Sequence, residues 1–254
     1  RPSMELTFLG TGSAMPTGDR MQSGLLLTSG ERSLLVDCGS GVLHRLADTD
    51  VGYEGVSSLL LTHHHLDHVA DLLPLVKARW LAGDAHLEIV GPQGTKALVD
   101  ELLSVHDYLD GRADLRIREV AAGRPFEVAG FTVEAHETRH SMDGLAYRFA
   151  EADGEQPVVA VSGDTEAFAG LARFADGCRV LVHDCSFPDD VDVSGHPTPT
   201  QLGEAVADCD VDRLYLTHLY PHTEGNHDAM RKAVAAGGFD GEIRVARDGL
   251  RIGL

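Results

Sequence analysis

The sequence predicts an α/β protein built as a four-layer αββα sandwich, with two sheets inside and helices outside. Short apolar runs rich in Val, Ile, Leu and Phe recur along the whole 254-residue chain, and helix-like patterns lie between many of them. The order mixes hairpins early with strand–helix alternation late. Two of the apolar runs, Ser58–His63 and Arg213–His218, both end in Thr-His, which gives the chain a faint two-part repeat.

The individual elements follow from these patterns. Strands are predicted at Glu5–Leu9, Leu25–Thr28, Leu34–Asp37, Ser58–Thr62, Leu87–Val90, Phe131–Ala135, Leu145–Phe149, Val158–Ser162, Val180–His183, Leu214–Thr217 and Ile243–Ala246. Several helices open with Thr, Asp or Pro, which are common at helix starts. They are predicted at Val69–Ala82, Thr95–His106, Glu166–Ala175, Pro199–Asp208 and Asp228–Ala236.

The domain organisation is simple. No linker rich in Pro, Gly or Ser divides the chain, so a single domain over residues 4–254 is expected. Residues 1–3, which precede Met4, are expected to be a cloning remnant. No apolar run approaches the roughly 20 residues that cross a bilayer, and no signal-peptide pattern opens the chain. A soluble cytoplasmic protein without a membrane partner is therefore expected.

Composition and charge restrict the partners. The chain is 43% hydrophobic and 24% charged, which is globular composition, and its 4 cysteines are too sparse for a disulfide scaffold. Lys+Arg 21 against Asp+Glu 40 gives a formal charge of -19. Such a surface attracts phosphate polyanions poorly, and salt reduces its self-repulsion. We expect a salt-rich cytoplasm, and composition does not favour a nucleic-acid partner.

A histidine cluster is the most informative feature of the sequence. His63-x-His65-x-Asp67-His68 comes immediately after a predicted strand. His63 and His65, two residues apart in extended chain, point the same way, while Asp67 and His68 are displaced by the turn into the next helix. One pair can hold one divalent ion and the second pair another. A solvated polar turn is the alternative, and His64 is expected to point away from its neighbours.

Three later residues are candidates to complete such a site. Asp164 follows a strand in S-G-D-T, where its carboxylate could bridge two ions, although a lone Asp in this turn would more often cap a helix. His218 ends the second Thr-His strand, and His140 follows a strand in E-T-R-H-S. Imidazole and carboxylate without thiolate suit zinc with open positions for water, and manganese and iron are alternatives.

Five motifs together resemble the metallo-β-lactamase superfamily, specifically its ribonuclease Z-like branch. They are L-T-F-L-G-T-G-S-A-M-P-T, L-L-V-D-C-G-S-G, T-H-H-H-L-D-H, S-G-D-T and L-T-H, in the family's order. The resemblance implies the αββα metallo-β-lactamase fold and a two-zinc site. The first metal would be held by His63, His65 and His140, the second by Asp67, His68 and His218, with Asp164 bridging. His136 competes with His140 for its place, but His140 has the family's spacing.

A further resemblance suggests proton-transfer residues. The run L-V-H-D-C-S-F is similar to the family's H-E-A-T segment, with Asp for Glu and Cys-Ser for Ala-Thr as departures. It implies that His183 assists the leaving oxygen and that Asp184 orients it; a core histidine is the alternative. His196, in G-H-P-T-P-T, is expected beside the metal ligands or at the rim of the site. Asp37 is expected either beside the metal histidines or in a plain turn.

The predicted activity is that of a dinuclear metal-dependent hydrolase, and a phosphodiesterase that uses a metal-bridging hydroxide is favoured. Asp67 would orient this hydroxide or accept the proton of the water from which it forms. Alternatives are a carboxylic ester, lactone or thioester hydrolase and a non-catalytic metal-bearing module. The family's tRNA-binding arm is expected between His140 and Asp164, yet only 164 − 140 = 24 positions separate them, and they are expected to hold a hairpin around Ala152–Gln156. Small-molecule or nucleotide phosphodiesters are therefore favoured over tRNA, and the resemblance suggests a homodimer.

Overall fold

Two seven-stranded sheets lie face to face between two layers of helices in the computed structural model, which describes residues 4–152, 154 and 156–254. This confirms the predicted αββα sandwich. The expected cloning remnant at residues 1–3 lies outside the described residues, as does part of the expected hairpin tip around Ala152–Gln156.

The first sheet is built mainly from the N-terminal half of the chain. Its strands are β1 (Glu5–Gly10), β2 (Gly24–Ser29), β3 (Arg32–Val36), β4 (Ser58–Leu60), β5 (His86–Gly91), β6 (Asp114–Glu119) and β14 (Arg251–Gly253). They lie in the order β14-β1-β2-β3-β4-β5-β6. The pairs from β14 to β3 are antiparallel and the pairs from β3 to β6 are parallel.

The second sheet repeats this plan. Its strands are β7 (Phe126–Val128), β8 (Phe131–Glu137), β9 (Leu145–Glu151), β10 (Val159–Val161), β11 (Val180–Asp184), β12 (Arg213–Thr217) and β13 (Glu242–Val245). They lie in the order β13-β12-β11-β10-β9-β8-β7. The strands from β10 to β13 are parallel and those from β7 to β10 antiparallel.

Helices cover the outer faces of both sheets. They are α1 (Val42–Ala47), α2 (Leu66–Val69), α3 (Leu72–Leu81), α4 (Thr95–Val105), α5 (Ala169–Ala175), α6 (Pro199–Ala205) and α7 (His227–Ala236). The helix predicted at Val69–Ala82 begins three residues late, at Leu72, with the short helix α2 before it, and the one at Glu166–Ala175 also begins three residues late. None of the described helices is long and apolar enough to cross a membrane.

Three apolar clusters hold the layers together. The central cluster lies between the sheets and joins residues such as Phe8 and Leu60 of the first to Tyr147 and Val182 of the second. A second cluster packs the first sheet against α1, α3 and α4, and a third packs the second sheet against α5, α6 and α7. Because parallel strands run the same way, the carboxyl ends of β3, β4, β10, β11 and β12 meet at one edge of the sandwich, where open α/β sheets place their sites.

Candidate metal centre

The loops at this edge bring together the candidate ligands that the sequence distributes over 156 positions, from His63 to His218. The first group is made of His63, His65, His140 and Asp164. The second is made of Asp67, His68, Asp164 and His218. Within each group, the ligand atoms all lie within 4.8 Å of one another.

A single carboxylate oxygen connects the two groups. Oδ2 of Asp164 lies 3.2 Å from Nε2 of both His68 and His218, 3.5 Å from Nε2 of His63 and 3.7 Å from Nε2 of His140. Oδ2 of Asp67 lies 3.1 Å from Nε2 of His218. Asp164 is therefore in the position that a bridging carboxylate requires.

Neighbouring groups determine which ring nitrogen two of the histidines present. Asp37 accepts hydrogen bonds from the Thr62 amide at 2.8 Å and the Thr62 hydroxyl at 2.7 Å, and it lies 2.7 Å from Nδ1 of His68. Nδ1 of His63 lies 3.0 Å from the Thr62 hydroxyl oxygen. Each ring thereby keeps Nε2 free for a ligand, an arrangement typical of metal-binding histidines.

The other half of the site uses similar contacts. Nδ1 of His140 lies 2.9 Å from the Gly195 carbonyl oxygen, and Nδ1 of His218 lies 2.9 Å from the Ser186 hydroxyl oxygen. Nε2 of His140 faces Nδ1 of His65 at 3.0 Å. Two imidazole nitrogens that face one another in this way suit a shared cation.

The donors fit divalent ions. His63 is 1% exposed, and its Nε2 is buried without a hydrogen-bond partner among the described residues. An unpaired buried nitrogen is costly unless a ligand satisfies it. The donor set contains only imidazole nitrogen and carboxylate oxygen, which zinc, manganese and iron accept.

Charge is distributed as a cation site requires. Burial would raise the pKa of Asp164, but His218, His68 and His63 hold it well below its ordinary value. Burial would likewise raise the pKa of Asp67, but its hydrogen bonds with His218 and His68 lower this pKa. Despite burial, Asp164 and Asp37 raise the pKa of His68. The carboxylates are thus ionised, and a bound cation would displace the proton from His68.

Two residues of the site have backbone conformations that side chains seldom adopt. Asp37 has φ 61° and His218 has φ 60°. Non-glycine residues in this left-handed region are uncommon and tend to occur at functional positions. In each case, the turn directs the side chain from the end of a parallel strand into the cluster. Gly163, with φ 61°, makes the same turn just before Asp164.

A buried pair lies beside the second group. Nδ1 of His196 is 2.7 Å from Oδ2 of Asp184, and the Ser186 hydroxyl donates to Oδ1 of Asp184 at 2.5 Å. Burial would lower the pKa of His196, but the Asp184 carboxylate raises it to about 9. His196 packs against His140 and His218, with ring centroids 4.9 Å and 5.4 Å apart. The Asp184 carboxylate therefore favours the protonated form of His196, which lies next to both groups.

His183 is not part of this arrangement. Val182 belongs to the cluster between the sheets, whereas Leu181 belongs to the cluster beneath the helices. Since side chains alternate along a strand, His183 faces the helices and Asp184 faces the site. The Nδ1 of His183 donates to the Asp184 backbone carbonyl at 2.7 Å. The Asp184 carboxylate is contacted instead by His196, which the sequence predicts beside the metal ligands or at the rim of the site.

The positions of His64 and His136 agree with the sequence expectations. Nε2 of His64 lies 2.8 Å from the Thr95 hydroxyl oxygen, away from the cluster. His136 packs against Phe168 and Phe174, with ring centroids 5.8 Å and 5.3 Å away, and is not in either group.

Sequence reasoning missed Tyr220. It lies two residues beyond His218, with ring centroids 5.8 Å apart, and its ring stacks on Phe187 at 4.3 Å. Burial raises the pKa of Tyr220 to about 12, with the charges of Asp67, Asp164 and Asp184 adding to the effect. The short T-H-L-Y spacing was the available signal.

Comparison with known proteins identifies the family. The family model described as "Anti-Pycsar protein Apyc1" matches residues 4–234. A ribonuclease Z of Mycobacterium bovis (strain BCG) is 34% identical over 96% of this chain and 96% of its own length. The chain belongs to the Apyc1 family and to the ribonuclease Z-like branch of the metallo-β-lactamase superfamily.

Solved structures agree with this family. The metallo-beta-lactamase fold protein YhfI from Bacillus subtilis is 28% identical to this ribonuclease Z-like chain, with a TM-score of 0.84, over 99% of this chain and 100% of that one. The short form of human tRNase Z is 21% identical with a TM-score of 0.77, over 98% of each chain, which shows a common fold. The ribonuclease Z-like chain is a metal-dependent hydrolase.

Proposed function

We propose that this chain is a dinuclear metal-dependent phosphodiesterase that acts on small or nucleotide phosphodiesters. The observation that supports this most is the pair of donor groups that share Asp164, with the Asp184–His196 pair beside them. The ribonuclease Z relatives at 34% identity favour phosphodiester chemistry among the reactions that this fold carries out.

The proposed ligands are those that the resemblance suggested. His63, His65 and His140 would hold one ion, Asp67, His68 and His218 the other, and Asp164 both. When bound, a pair of divalent ions supplies an activated water and neutralises charge on the phosphoryl group. We favour zinc because the donors are imidazole and carboxylate, with manganese and iron as alternatives.

The chain itself would supply the proton transfers. Asp67, kept ionised by His218 and His68, would orient the attacking water or accept its proton. The imidazolium of His196 would protonate the leaving oxygen through Nε2, since its Nδ1 is held by Asp184. We therefore assign to His196 the role that the sequence suggested for His183, with Asp184 keeping its orienting role.

Two observations favour a small substrate over tRNA. The interval between His140 and Asp164 is filled by β9, β10 and their short connection, which leaves little room for a tRNA-binding arm. In addition, a cleft of about 750 Å³ next to His196 is lined by three carboxylates, those of Glu166, Asp192 and Glu204. A polyphosphate backbone would be repelled there.

A substrate panel tests the proposal. Protein loaded with zinc or manganese, in high KCl, is assayed with bis-p-nitrophenyl phosphate, a 2′,3′-cyclic nucleotide, a pre-tRNA and a simple lactone. We expect turnover of the first two, little cleavage of the pre-tRNA, and none of the lactone. Asp164→Ala is the control, since it should lose bound metal and activity together. Absence of turnover of all three phosphodiesters would refute the proposal; lactone turnover would then indicate an ester hydrolase, and complete inactivity a binding module.

A further inference from the structure

We propose that Tyr220 is a catalytic residue whose hydroxyl donates a hydrogen bond to a non-bridging oxygen of the scissile phosphoryl group. The inference deepens the proposed function and rests on it. It assigns a role to a side chain that lies outside both donor groups and outside the Asp184–His196 pair.

The backbone of Tyr220 is fixed at both ends. Its amide donates to the Ser186 carbonyl at 3.1 Å, which ties it to the loop after β11. Its carbonyl accepts hydrogen bonds from the amide of Thr223 at 3.0 Å and from the hydroxyl of Thr223 at 2.8 Å. A residue held in this way presents its side chain in one direction.

The ring is held as firmly as the backbone. It stacks on Phe187, which is 5% exposed, with an interplanar angle of 25°. The phenol ring also makes edge contacts with two imidazoles of the site. Its centroid lies 5.8 Å from that of His218 and 6.0 Å from that of His196. The two imidazoles stack on one another with centroids 5.4 Å apart, so the phenol lies beside both the proposed metal ligand and the proposed proton donor.

The hydroxyl is available to a ligand. Throughout the described part of the chain, it makes no hydrogen bond with protein, and it is not enclosed by the surrounding side chains, so a ligand can reach it. The nearby Ser186 hydroxyl cannot serve instead, because it donates its proton to Asp184. The phenol is a neutral donor whose ring contacts both imidazoles, so its hydroxyl can donate to a substrate oxygen held beside them.

The reaction needs such a donor. As the oxygen of water forms its bond to phosphorus, Asp67 accepts the water proton, the bond from phosphorus to the leaving oxygen breaks, and that oxygen keeps the electron pair and takes the proton of His196. Negative charge on the non-bridging oxygens increases as the water adds, next to three carboxylates. A fixed neutral donor is worth more in this state than in the free substrate, so its effect falls on kcat.

Tyr220→Phe tests the assignment, because phenylalanine keeps the stacking on Phe187 and removes only the donor. We expect kcat for the cleaved phosphodiester to fall about 10- to 100-fold with KM within about 3-fold, and bound metal to be unchanged. With a phosphorothioate diester, whose sulfur is a weaker acceptor, the loss should be smaller for one diastereomer. Tyr108→Phe, at an exposed tyrosine in the turn Asp107–Leu109, is the control.

Binding of inorganic phosphate to the metal-loaded protein gives a second readout, because a phosphate dianion carries more negative charge on its oxygens than a substrate diester and so resembles the transition state more closely. We expect Tyr220→Phe to weaken it about 10-fold and Tyr108→Phe to leave it unchanged. Phosphate binding equal to wild type in Tyr220→Phe overturns the assignment, whether or not phosphodiesters are cleaved. Failure of the proposed function alone would give a different result. Phosphate binding would then be weaker in Tyr220→Phe than in wild type, but the wild type would cleave no phosphodiester.

Discussion

His183 and His196 both contact Asp184, but His183 meets its backbone carbonyl and His196 meets its carboxylate. His183 is buried under the helices and donates to the backbone of Asp184. His196 meets the side chain of Asp184 and the rings of the donor groups. Because His196 and not His183 lies against the donor groups, the proposed proton donor is His196, and the two histidines should differ in their effect on catalysis.

His196→Asn should lower kcat about 100-fold or more for a diester whose leaving group is a sugar hydroxyl, because the departing alkoxide needs a proton. The loss should be much smaller for bis-p-nitrophenyl phosphate, since the acidic phenol departs as an anion. Steady-state kinetics with both substrates measure this difference. His183→Asn is the matched control, and it should leave the ratio of the two rates as in wild type. An equal loss on both substrates in His196→Asn would exclude a proton-donor role.

The clustering of the candidate ligands could be predicted from sequence because most are local or follow a strand end. His63, His65, Asp67 and His68 lie within six positions, and residues at the carboxyl ends of parallel strands meet at one edge. The position of His196, the proposed proton donor, could not be predicted as readily. Its contact with Asp184 depends on how the loop Phe187–Thr198 folds back, and no periodicity in that segment predicts the fold. The alternation of side chains along the strand V-L-V-H-D, however, was a signal in the sequence that His183 faces the helices on the outer side of the sheet.

The helices α6 and α7 pack closely enough that a side chain would not fit between them. A Cβ built on Gly203 would lie 2.6 Å from the Val234 carbonyl oxygen. The helix α6 begins at a capping box in which Thr198 and Gln201 satisfy each other's backbone amides, just after His196. The spacing of these two helices therefore also helps to position the proposed proton donor.

Gly203→Ala should destabilise the protein by about 1–2 kcal/mol, because the cost of overpacking exceeds the gain in helix propensity. Urea unfolding gives the free energy. Gly18→Ala is the control, since no atom lies within 4 Å of the added Cβ. A Gly203→Ala protein as stable as wild type would mean that α6 and α7 can separate freely.

Sequence patterns predicted the central strands and missed the marginal ones. All eleven predicted apolar runs form strands, whereas β6, β7, β14 and the short helices α1 and α2 were not predicted. β6 reads D-L-R-I-R-E and pairs only with β5. β7 and β14 have three residues each and also lie at sheet edges. Edge strands are short or charged because this prevents pairing with other chains, and the same features conceal them in sequence.

The two halves of the sandwich meet at a site that neither half completes. The first sheet supplies the T-H-H-H-L-D-H loop and Asp37, and the second supplies Asp164, Asp184 and His218. The repeated Thr-His strand ends therefore come together across the sandwich, as the two-part repeat suggested. Cytoplasmic location and a homodimer stay predictions.

The acidic surface carries a prediction about salt. Of the 40 acidic residues, few belong to the site, and several lie together on the surface. In one groove of about 620 Å³, every charged side chain in the lining is an exposed carboxylate. These are Asp208, Asp210, Asp212, Asp240 and Glu242. Like charges at this spacing repel one another, and the repulsion is larger in the folded protein than in an extended chain.

Stability should therefore rise with KCl, since the screening length falls from about 10 Å at 0.1 M to about 3 Å at 1 M. Urea unfolding at a series of KCl concentrations measures this. A variant in which Asp208, Asp210 and Asp212 are all changed to Asn should be more stable than wild type at 0.1 M KCl and should gain less from added salt, because the repulsion that salt screens has been removed. Equal stability of the wild type at low and molar KCl would contradict adaptation to a salt-rich cytoplasm, whereas an equal salt response in the variant would locate the repulsion elsewhere on the surface.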